Sequence, residues 1–161
     1  EENGAHATNT TIFFGSDNQK FDLYSTTIQE GKHTNAMMTA IGVVQDTAQS
    51  MCKGKIKIGK QSFGSQGHQK VKTLIMNSKA QANAIPSMEI DNFDVRATHE
   101  ASVGQVDEKK LFYLMSRGLT EHQARIEIIQ GFFVPIIETI PDEKTKTTLR
   151  NMMKNKLKIE E

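Results

Sequence analysis

The sequence predicts a chain that is mainly β over its first two thirds and α-helical over its last third. Three observations support this prediction. Short segments rich in Thr, Val, Ile and Phe recur between Thr10 and Ser102, turn signals separate them every 13 to 18 residues, and from Asp107 onward the apolar residues recur at helical spacing. We therefore expect a β-domain over residues 1–105 and a helical domain over residues 106–161.

Within the β-region, polar and apolar residues alternate, as in Lys55-Ile56-Lys57-Ile58, which is typical of a strand with one buried face. Gly, Asp, Asn or Ser marks each break between segments, at residues 15–18, 31–32, 45–46, 59–60, 77–79 and 91–92. Short, evenly spaced strands suit either an antiparallel sandwich or a solenoid of stacked strands. No Asn-Gly or Asp-Gly hairpin dipeptide joins the segments, which favours the solenoid, but the residues alone leave both architectures open.

Helix signals begin at Asp107, a good N-cap, and the first helix has Gly118 at the position that suits a C′ residue. Thr120 then opens a second helix, because Gln123 three residues later completes a capping-box pattern. We expect this second helix to end at Gly131.

The remaining segments are less regular. Residues 132–140 are apolar and contain Pro135, which predicts either a third helix with proline in its first turn or a kinked one. Pro141 separates them from a last helix over residues 142–156. At the other end of the chain, residues 1–9 are polar, and we expect them to be frayed.

Charge and hydropathy argue against several classes of protein. Lys and Arg total 20 and Asp and Glu total 19, so the chain lacks the basic excess that is usual in nucleic-acid binding. No apolar run approaches the roughly 18–20 residues of a membrane-spanning helix, and no signal peptide opens the chain, so we expect no membrane association and a cytoplasmic or organellar stromal location. Cys52 is the sole cysteine, which excludes an internal disulfide. Since the first residue is Glu, we expect the chain to be part of a longer protein.

His99-Glu100 is the most distinctive pair of residues. Neighbours in a strand point to opposite faces, so only one of the two would face the core or a partner. Either side chain can bind or orient a metal ion, and a solvated strand end is the alternative. His33, His68 and His99 are spaced by 35 and 31 residues and would stack as a metal site if one solenoid turn had that length. No metalloprotease His-Glu-x-x-His, phosphate-binding glycine loop or nucleophile elbow occurs in the sequence.

Several segments around this pair recur in one known family. They are residues 86–90, 94–95, 98–104, 107, 111–118, 124–125 and 131–132. In their order and spacing, above all in the Leu-Phe-Tyr-Leu-x-x-Arg-Gly run at 111–118, the chain resembles the SufB/SufD proteins of iron–sulfur cluster assembly. The resemblance covers about residues 10–140.

The resemblance implies a right-handed parallel β-helix followed by a small helical domain, and a scaffold without catalytic activity. It implies that the helical domain docks SufC, an ABC-type ATPase, which hydrolyses the ATP. It also implies that the β-helix pairs with a SufB or SufD paralogue or with a second copy of itself, and that an iron–sulfur cluster assembles at the pairing interface.

The resemblance also suggests roles for particular residues. His99 and Glu100 match the adjacent His-Glu of SufB, which is implicated in cluster assembly, whereas residues 102–107 look more like SufD. Ala80 stands where SufB has a cysteine, so that thiolate ligand is missing. Cys52 lies where the family has an apolar residue, which favours a buried structural thiol over a metal ligand. The residues expected to dock the ATPase are Leu111, Phe112, Tyr113, Arg117, Phe132 and Phe133.

Two other functions are compatible with a β-helix. A metal- or carbohydrate-handling enzyme would need a cluster of carboxylates on one sheet, but between Thr34 and Glu89 the only acidic residues are Asp46 and Glu89 itself. A dimerisation module with no metal role would keep the pairing surface and would not depend on His99 or Glu100.

Overall fold

The computed structural model describes residues 2–157 of the chain. The chain divides into two compact units, Glu1–Gln105 and Val106–Glu161, which we call the solenoid unit and the helical unit. Between residues 6 and 105, the solenoid unit contains strands of 10 or 11 residues. These are β1 (His6–Gly15), β2 (Lys20–Gln29), β3 (Asn35–Val44), β4 (Gln49–Ile58), β5 (Ser65–Ile75), β6 (Gln81–Ile90) and β7 (Val95–Gln105).

All strand pairs in these sheets are parallel, and each joins a strand to the next but one along the chain. One sheet has the order β1-β3-β5-β7 and the other the order β2-β4-β6. The chain therefore changes sheet after every strand, and aligned residues such as His6, Asn35 and Gln66 lie about 30 positions apart. This arrangement is a β-solenoid of about three turns, and it excludes the sandwich, which requires antiparallel pairs.

The predicted turn positions are confirmed, because the six breaks fall between consecutive strands, the first of them beginning at Gly15, the last residue of β1. The prediction that residues 1–9 are frayed is wrong from His6 onward. His6–Asn9 belong to β1 and pair in register with Asn35–Met38 of β3. A polar sequence can form this strand because the parallel partner satisfies its backbone groups, whatever its side chains are.

Two clusters of inward-facing residues fill the solenoid. The first consists of Phe13, Val44, Ala48, Cys52, Val71 and Ala80, and the second of Met38, Ile56 and Ile58. Gly42 makes room for the first cluster, because a Cβ at that position would overlap the ring of Phe13. Fully burying such aliphatic side chains contributes about 1.5–3 kcal/mol each, so the interior is the main source of stability in this unit.

Hydrogen bonds between side chains hold the turns that lead from the three-stranded sheet to the four-stranded one. The carboxamide nitrogen of Gln29 donates to the hydroxyl of Thr34 at 3.0 Å and to the carbonyl oxygen of Gln66 at 2.9 Å. The Thr34 hydroxyl lies 2.9 Å from that of Ser65, which donates to the carbonyl oxygen of Gly31 at 3.2 Å. Stacked turns are thereby tied to one another where the apolar clusters end.

The turns that lead back from the four-stranded sheet use short polar residues in the left-handed region. Asp17 and Asp46 have φ of 55° and 57°, a conformation that Asp tolerates better than most residues. The backbone N–H of Asp17 donates to the carboxylate of Asp46 at 2.9 Å, so the two turns are bonded to each other. At the equivalent turn of the next rung, the side-chain oxygen of Asn77 accepts from the backbone N–H of Ala80 at 3.1 Å.

The helical unit has three helices within residues 106–157, and its predicted caps are confirmed. The carboxylate of Asp107 accepts from the backbone N–H of Lys109 at 2.9 Å, Gly118 has a φ of 99°, and Thr120 and Gln123 form a capping box. The helices are α1 (Glu108–Ser116), α2 (Glu121–Ile137) and α3 (Glu143–Leu157). The last agrees within one residue with the prediction for residues 142–156.

The predicted end of the second helix at Gly131 is wrong. Helix α2 continues through Gly131 and Pro135, so the apolar segment after the glycine extends this helix and does not form a third one. The buried residues keep a helical period across the glycine: Ala124, Ile128, Ile129, Phe133 and Ile137. Burying Phe133 and Ile137 offsets the roughly 1 kcal/mol cost of Gly and the roughly 3 kcal/mol cost of Pro inside a helix.

None of the helices found in residues 2–157 has both the length and the hydropathy that a bilayer-crossing helix requires.

Candidate functional site

The solenoid is open at its last strand. In the part of the chain that the structure describes, β7 is an edge strand whose only sheet partner is β5. The inward-facing residues Gln69, Val71 and Thr73 of β5 align with His99, Ala101 and Val103 of β7. The first three have at most 3% of their surface exposed, whereas the three on β7 are all exposed. The face that belongs to the core on β5 is therefore accessible surface on β7.

His99 lies on this accessible inward face, because it continues the column of Met38 and Gln69. Glu100 points to the outer face of the same strand, as the sequence alternation predicts. The two side chains therefore do not converge on one point within a single chain. Within residues 2–157, no group of three or more His, Cys, Asp or Glu side chains is arranged to hold a metal ion.

Glu100 is held on the outer face by two lysines of β5. Its carboxylate oxygens lie 2.9 Å from the Nζ of Lys72 and 3.3 Å from the Nζ of Lys70. The hydrogen bond from Lys72, aided by that from Lys70, lowers the pKa of Glu100 below its ordinary value. Glu100 is therefore an ionised carboxylate at neutral pH and is already engaged by two cations.

The three-stranded sheet repeats this arrangement on its last strand. Glu89 of β6 bridges Lys55 and Lys57 of β4, at 2.5 Å from each ammonium nitrogen. The hydrogen bonds from Lys55 and Lys57 lower the pKa of Glu89 to about 2. Sequence reasoning missed both clusters, although each has the pattern Lys-x-Lys with a Glu about 30 residues later, one turn of the solenoid.

His33, His68 and His99 do not stack, because the length of one solenoid turn does not match their spacing. His68 aligns with Thr98, and its Nδ1 lies 2.6 Å from the Thr98 hydroxyl on the outer face. His99 is one residue out of register with His68 and therefore faces the opposite side of the sheet. His33 lies in a turn, with a φ of 54°.

Cys52 lies on β4 inside the first apolar cluster and is 3% exposed. Burial raises the pKa of its thiol to about 11, so the thiol form dominates at neutral pH. A metal ligand has to be the thiolate, so the interior of the solenoid disfavours that role for Cys52 in this conformation.

In the helical unit, the residues predicted to dock the ATPase divide into two groups. Leu111 and Phe133 are buried, whereas Phe112 and Tyr113 on α1 are 73% and 53% exposed. Arg117 is also exposed, and its guanidinium stacks 5.1 Å from the centre of the Tyr113 ring and donates to the Tyr113 hydroxyl at 2.9 Å. Arg117 therefore holds the ring of Tyr113 on the exposed face of α1.

Phe132 is half-buried, and its ring meets that of Phe133 edge to face at 5.9 Å. The sequence could not separate exposed from buried aromatics, because neighbouring residues of a helix point in different directions and only the packing decides which of them is covered.

Known proteins are similar to this chain in sequence. Iron-sulfur cluster assembly protein SufD from Bacillus subtilis is 33% identical over 155 residues, which is 96% of this chain and 36% of that protein. SufBD family iron-sulfur cluster assembly proteins from Staphylococcus saprophyticus and Staphylococcus epidermidis are each 29% identical over 140 residues, which is 87% of this chain and 30% of theirs. The chain thus spans about a third of the length of these relatives.

A family model described as the SufBD core domain of the SUF system for FeS cluster assembly matches residues 1–132. The match includes all seven strands, helix α1 and most of helix α2, and therefore both the open end of the solenoid and the exposed aromatic pair. This chain belongs to the SufBD core domain family.

Proposed function

We propose that this chain is a non-catalytic scaffold for iron–sulfur cluster assembly. In this proposal the open end of the solenoid pairs with a second solenoid, His99 contributes to cluster assembly at that junction, and the helical unit docks an ABC-type ATPase of the SufC kind. One observation carries the proposal most: the inward face of β7 is exposed although the same face of β5 is core. The names of the relatives, SufD and SufBD family protein, support it.

Pairing at the open end has a physical basis. An edge strand presents a row of unpaired backbone N–H and C=O groups, and exposed Ala101 and Val103 add apolar surface beside it. A strand of a paralogue or of a second copy would satisfy the backbone groups by strand addition and cover those side chains. Each partner would bring its own last strand, so residues of two chains would meet at one place.

His99 is the residue of this chain that faces such a junction. A neutral imidazole nitrogen is a suitable ligand for iron, and the partner chain would supply the other ligands of a cluster carried as cargo. Glu100 could join them only from the outer face and only after it leaves Lys70 and Lys72. We therefore assign the larger role to His99.

Cluster assembly with the paralogue tests this assignment. His99→Ala should abolish the visible absorbance of a reconstituted cluster, whereas Glu100→Gln should reduce it less. His68→Ala is the matched control, because it removes an imidazole from the outer face of the neighbouring strand. Unchanged reconstitution by a folded His99→Ala chain would contradict the role of His99.

Docking of the ATPase is assigned to the exposed aromatic pair on α1. Aromatic residues with limited side-chain freedom are common anchors of protein interfaces, and Arg117 fixes the ring of Tyr113. Leu111 and Phe133 support α1 and α2 from the core and would act only indirectly. Phe132, which is half-buried, would lie at the margin.

A pull-down with the ATPase tests the docking surface. Phe112→Ser should weaken binding at least tenfold, because a truncated aromatic anchor costs about 2 kcal/mol or more. Met152→Ser on α3, at a side chain that is 61% exposed, is the control and should leave binding unchanged. Circular dichroism checks that both variants fold, and equal binding by the two would contradict the assignment.

A dimerisation module with no metal role is the second candidate. It rests on the exposed inward face of β7, which could pair with a second solenoid without any metal ligand. The parent chain and the His99→Ala chain together distinguish the two functions. A scaffold would take up a cluster in the parent chain and would lose it in His99→Ala, although that variant would still pair. A plain module would pair without taking up iron or sulfide even in the parent chain.

A further inference from the structure

The interior of the solenoid contains a small cavity that the proposed function does not use. Its volume is about 20 Å³, and it lies between the two sheets, beside the thiol-bearing residue Cys52. The other residues that surround it are Thr11, Leu23, Ser25, Met38, Thr39, Ala40, Lys53, Gly54, Gln69 and Val71.

Among the described residues that line this cavity, Gln69 is the one whose buried polar atoms are left unpaired. It is completely buried, and neither its carboxamide oxygen nor its carboxamide nitrogen has a hydrogen-bond partner among the residues that the structure describes. Burying an amide without any hydrogen bond costs several kcal/mol, so groups of this kind are almost always paired with protein or with water. An unpaired carboxamide beside a cavity indicates that the cavity contains its partner.

Gly54 determines where this carboxamide lies. A Cβ at position 54 would overlap the carboxamide nitrogen of Gln69 and would lie 3.2 Å from the sulfur of Met38. Only glycine therefore leaves the amide its place at the wall of the cavity. The missing side chain on β4 and the polar side chain on β5 form one site.

The size and chemistry of the site select its occupant. A volume of roughly 10–15 Å³ suffices for one water molecule, which normally takes two to four hydrogen bonds. Gln69 offers a donor and an acceptor, and Thr11, Ser25 and Cys52 add two hydroxyls and a thiol to the lining. Lys53 does not bring its charge inside, because its ammonium group donates to Asp22 at 3.1 Å on the outer face. The site therefore suits a small neutral molecule that both donates and accepts.

We propose that this cavity holds one ordered water molecule, bound by the carboxamide of Gln69 and shared with the hydroxyl and thiol groups around it. The water makes the core of the solenoid wet at one point and places a hydrogen-bonding neighbour beside the buried thiol of Cys52. The carboxamide of Gln69, which would destabilise an apolar core if it had no hydrogen bond, is then the group that binds the water.

Two direct measurements test the site in the whole chain. A high-resolution crystal structure should show one density peak within hydrogen-bond distance of the Gln69 carboxamide. Rotating-frame Overhauser spectra should show contact between the Gln69 amide protons and a long-lived water. An empty cavity in the crystal together with no such contact in solution would overturn the proposal.

Variants show whether the water belongs to the Gln69 site. Gly54→Ala should displace the carboxamide and abolish the water contact, whereas Gly104→Ala, at a glycine whose Cβ would meet nothing within 4 Å, should leave it unchanged. Should Gly54→Ala fail to fold, Gln69→Leu decides, because it keeps the bulk and removes both polar atoms. Loss of the density peak in Gln69→Leu supports the proposal, and an undiminished peak there overturns it.

Discussion

Strands β5 and β7 lie side by side in one sheet, yet they occupy different environments. On β5 the inward-facing Val71 and Thr73 are 3% exposed, whereas the aligned Ala101 and Val103 on β7 are accessible. The residue types do not explain this difference in burial, because Val and Thr stand on one strand and the similar residues Ala and Val on the other. In a solenoid, burial comes from the neighbouring turn, so the same kind of residue is core in one turn and surface in the last.

The largest effect expected from this comparison is that of a charge placed at the two aligned positions. Val71→Asp would bury an unpaired carboxylate in the first apolar cluster and should lower the free energy of unfolding by about 3–5 kcal/mol. Ala101→Asp faces solvent and should change it by no more than about 0.5 kcal/mol. Urea denaturation measures both, and similar losses at the two sites would mean that the inward face of β7 is covered.

Ala101→Asp should have little effect on stability but a large effect on association between chains. A carboxylate on each of two facing strands adds like-charge repulsion and a desolvation cost at the proposed junction, so Ala101→Asp should weaken association at least tenfold. Light scattering of the chain with its paralogue measures this loss. Association as tight as that of the parent chain would exclude this face from the interface.

A smaller difference is expected between two glycines. Gly42→Ala would force the ring of Phe13 aside and should cost about 1–3 kcal/mol of stability. Gly104→Ala on the edge strand meets open space and should change stability by about 0.5 kcal/mol or less. Thermal unfolding of the two variants ranks them, and an equal cost would show that the packing around Gly42 adapts.

The smallest effect is electrostatic and compares the outer faces of the two sheets. The folded pKa of Glu89 is about 2, below the ordinary 4.5, so its contribution to stability is present above pH 4.5 and is lost as the pH falls toward 2. Glu100 should behave in the same direction. Carboxyl carbon shifts in NMR follow each titration, and replacing Lys55 and Lys57 by Met should raise the pKa of Glu89 while that of Glu100 stays unchanged.

Much of this fold was predictable from local signals. The turn positions, the alternation of Lys55 to Ile58, and the caps at Asp107 and Thr120 are properties of a few adjacent residues, and the structure confirms them. The choice between sandwich and solenoid was not local, because both contain the same strands and differ only in which strands pair. The resemblance to a known family, not the residue pattern, predicted the parallel arrangement.

The sequence-based expectations that the structure does not bear out have physical reasons. The helix end at Gly131 was inferred from the intrinsic cost of glycine, but the buried side chains beyond it decide the outcome. The histidine stack failed by a single residue of register, which suffices to move His99 to the other face from His68. The roles of Lys70, Lys72 and Glu100 depend on the length of one turn, which no local pattern reveals.

The parallel register of the solenoid has a consequence for how the chain acquires its structure. Strands β1 to β5 each bond to a strand that is synthesised about 30 residues later, so an emerging turn remains uncovered until the following turn has left the ribosome. The exposed edge therefore advances with synthesis, each finished turn serving as the template for its successor. After β7 the chain continues into helices, so no later strand of the described residues pairs with this edge. The surface that we propose for assembly between chains is therefore the same edge to which the solenoid would add its next strand.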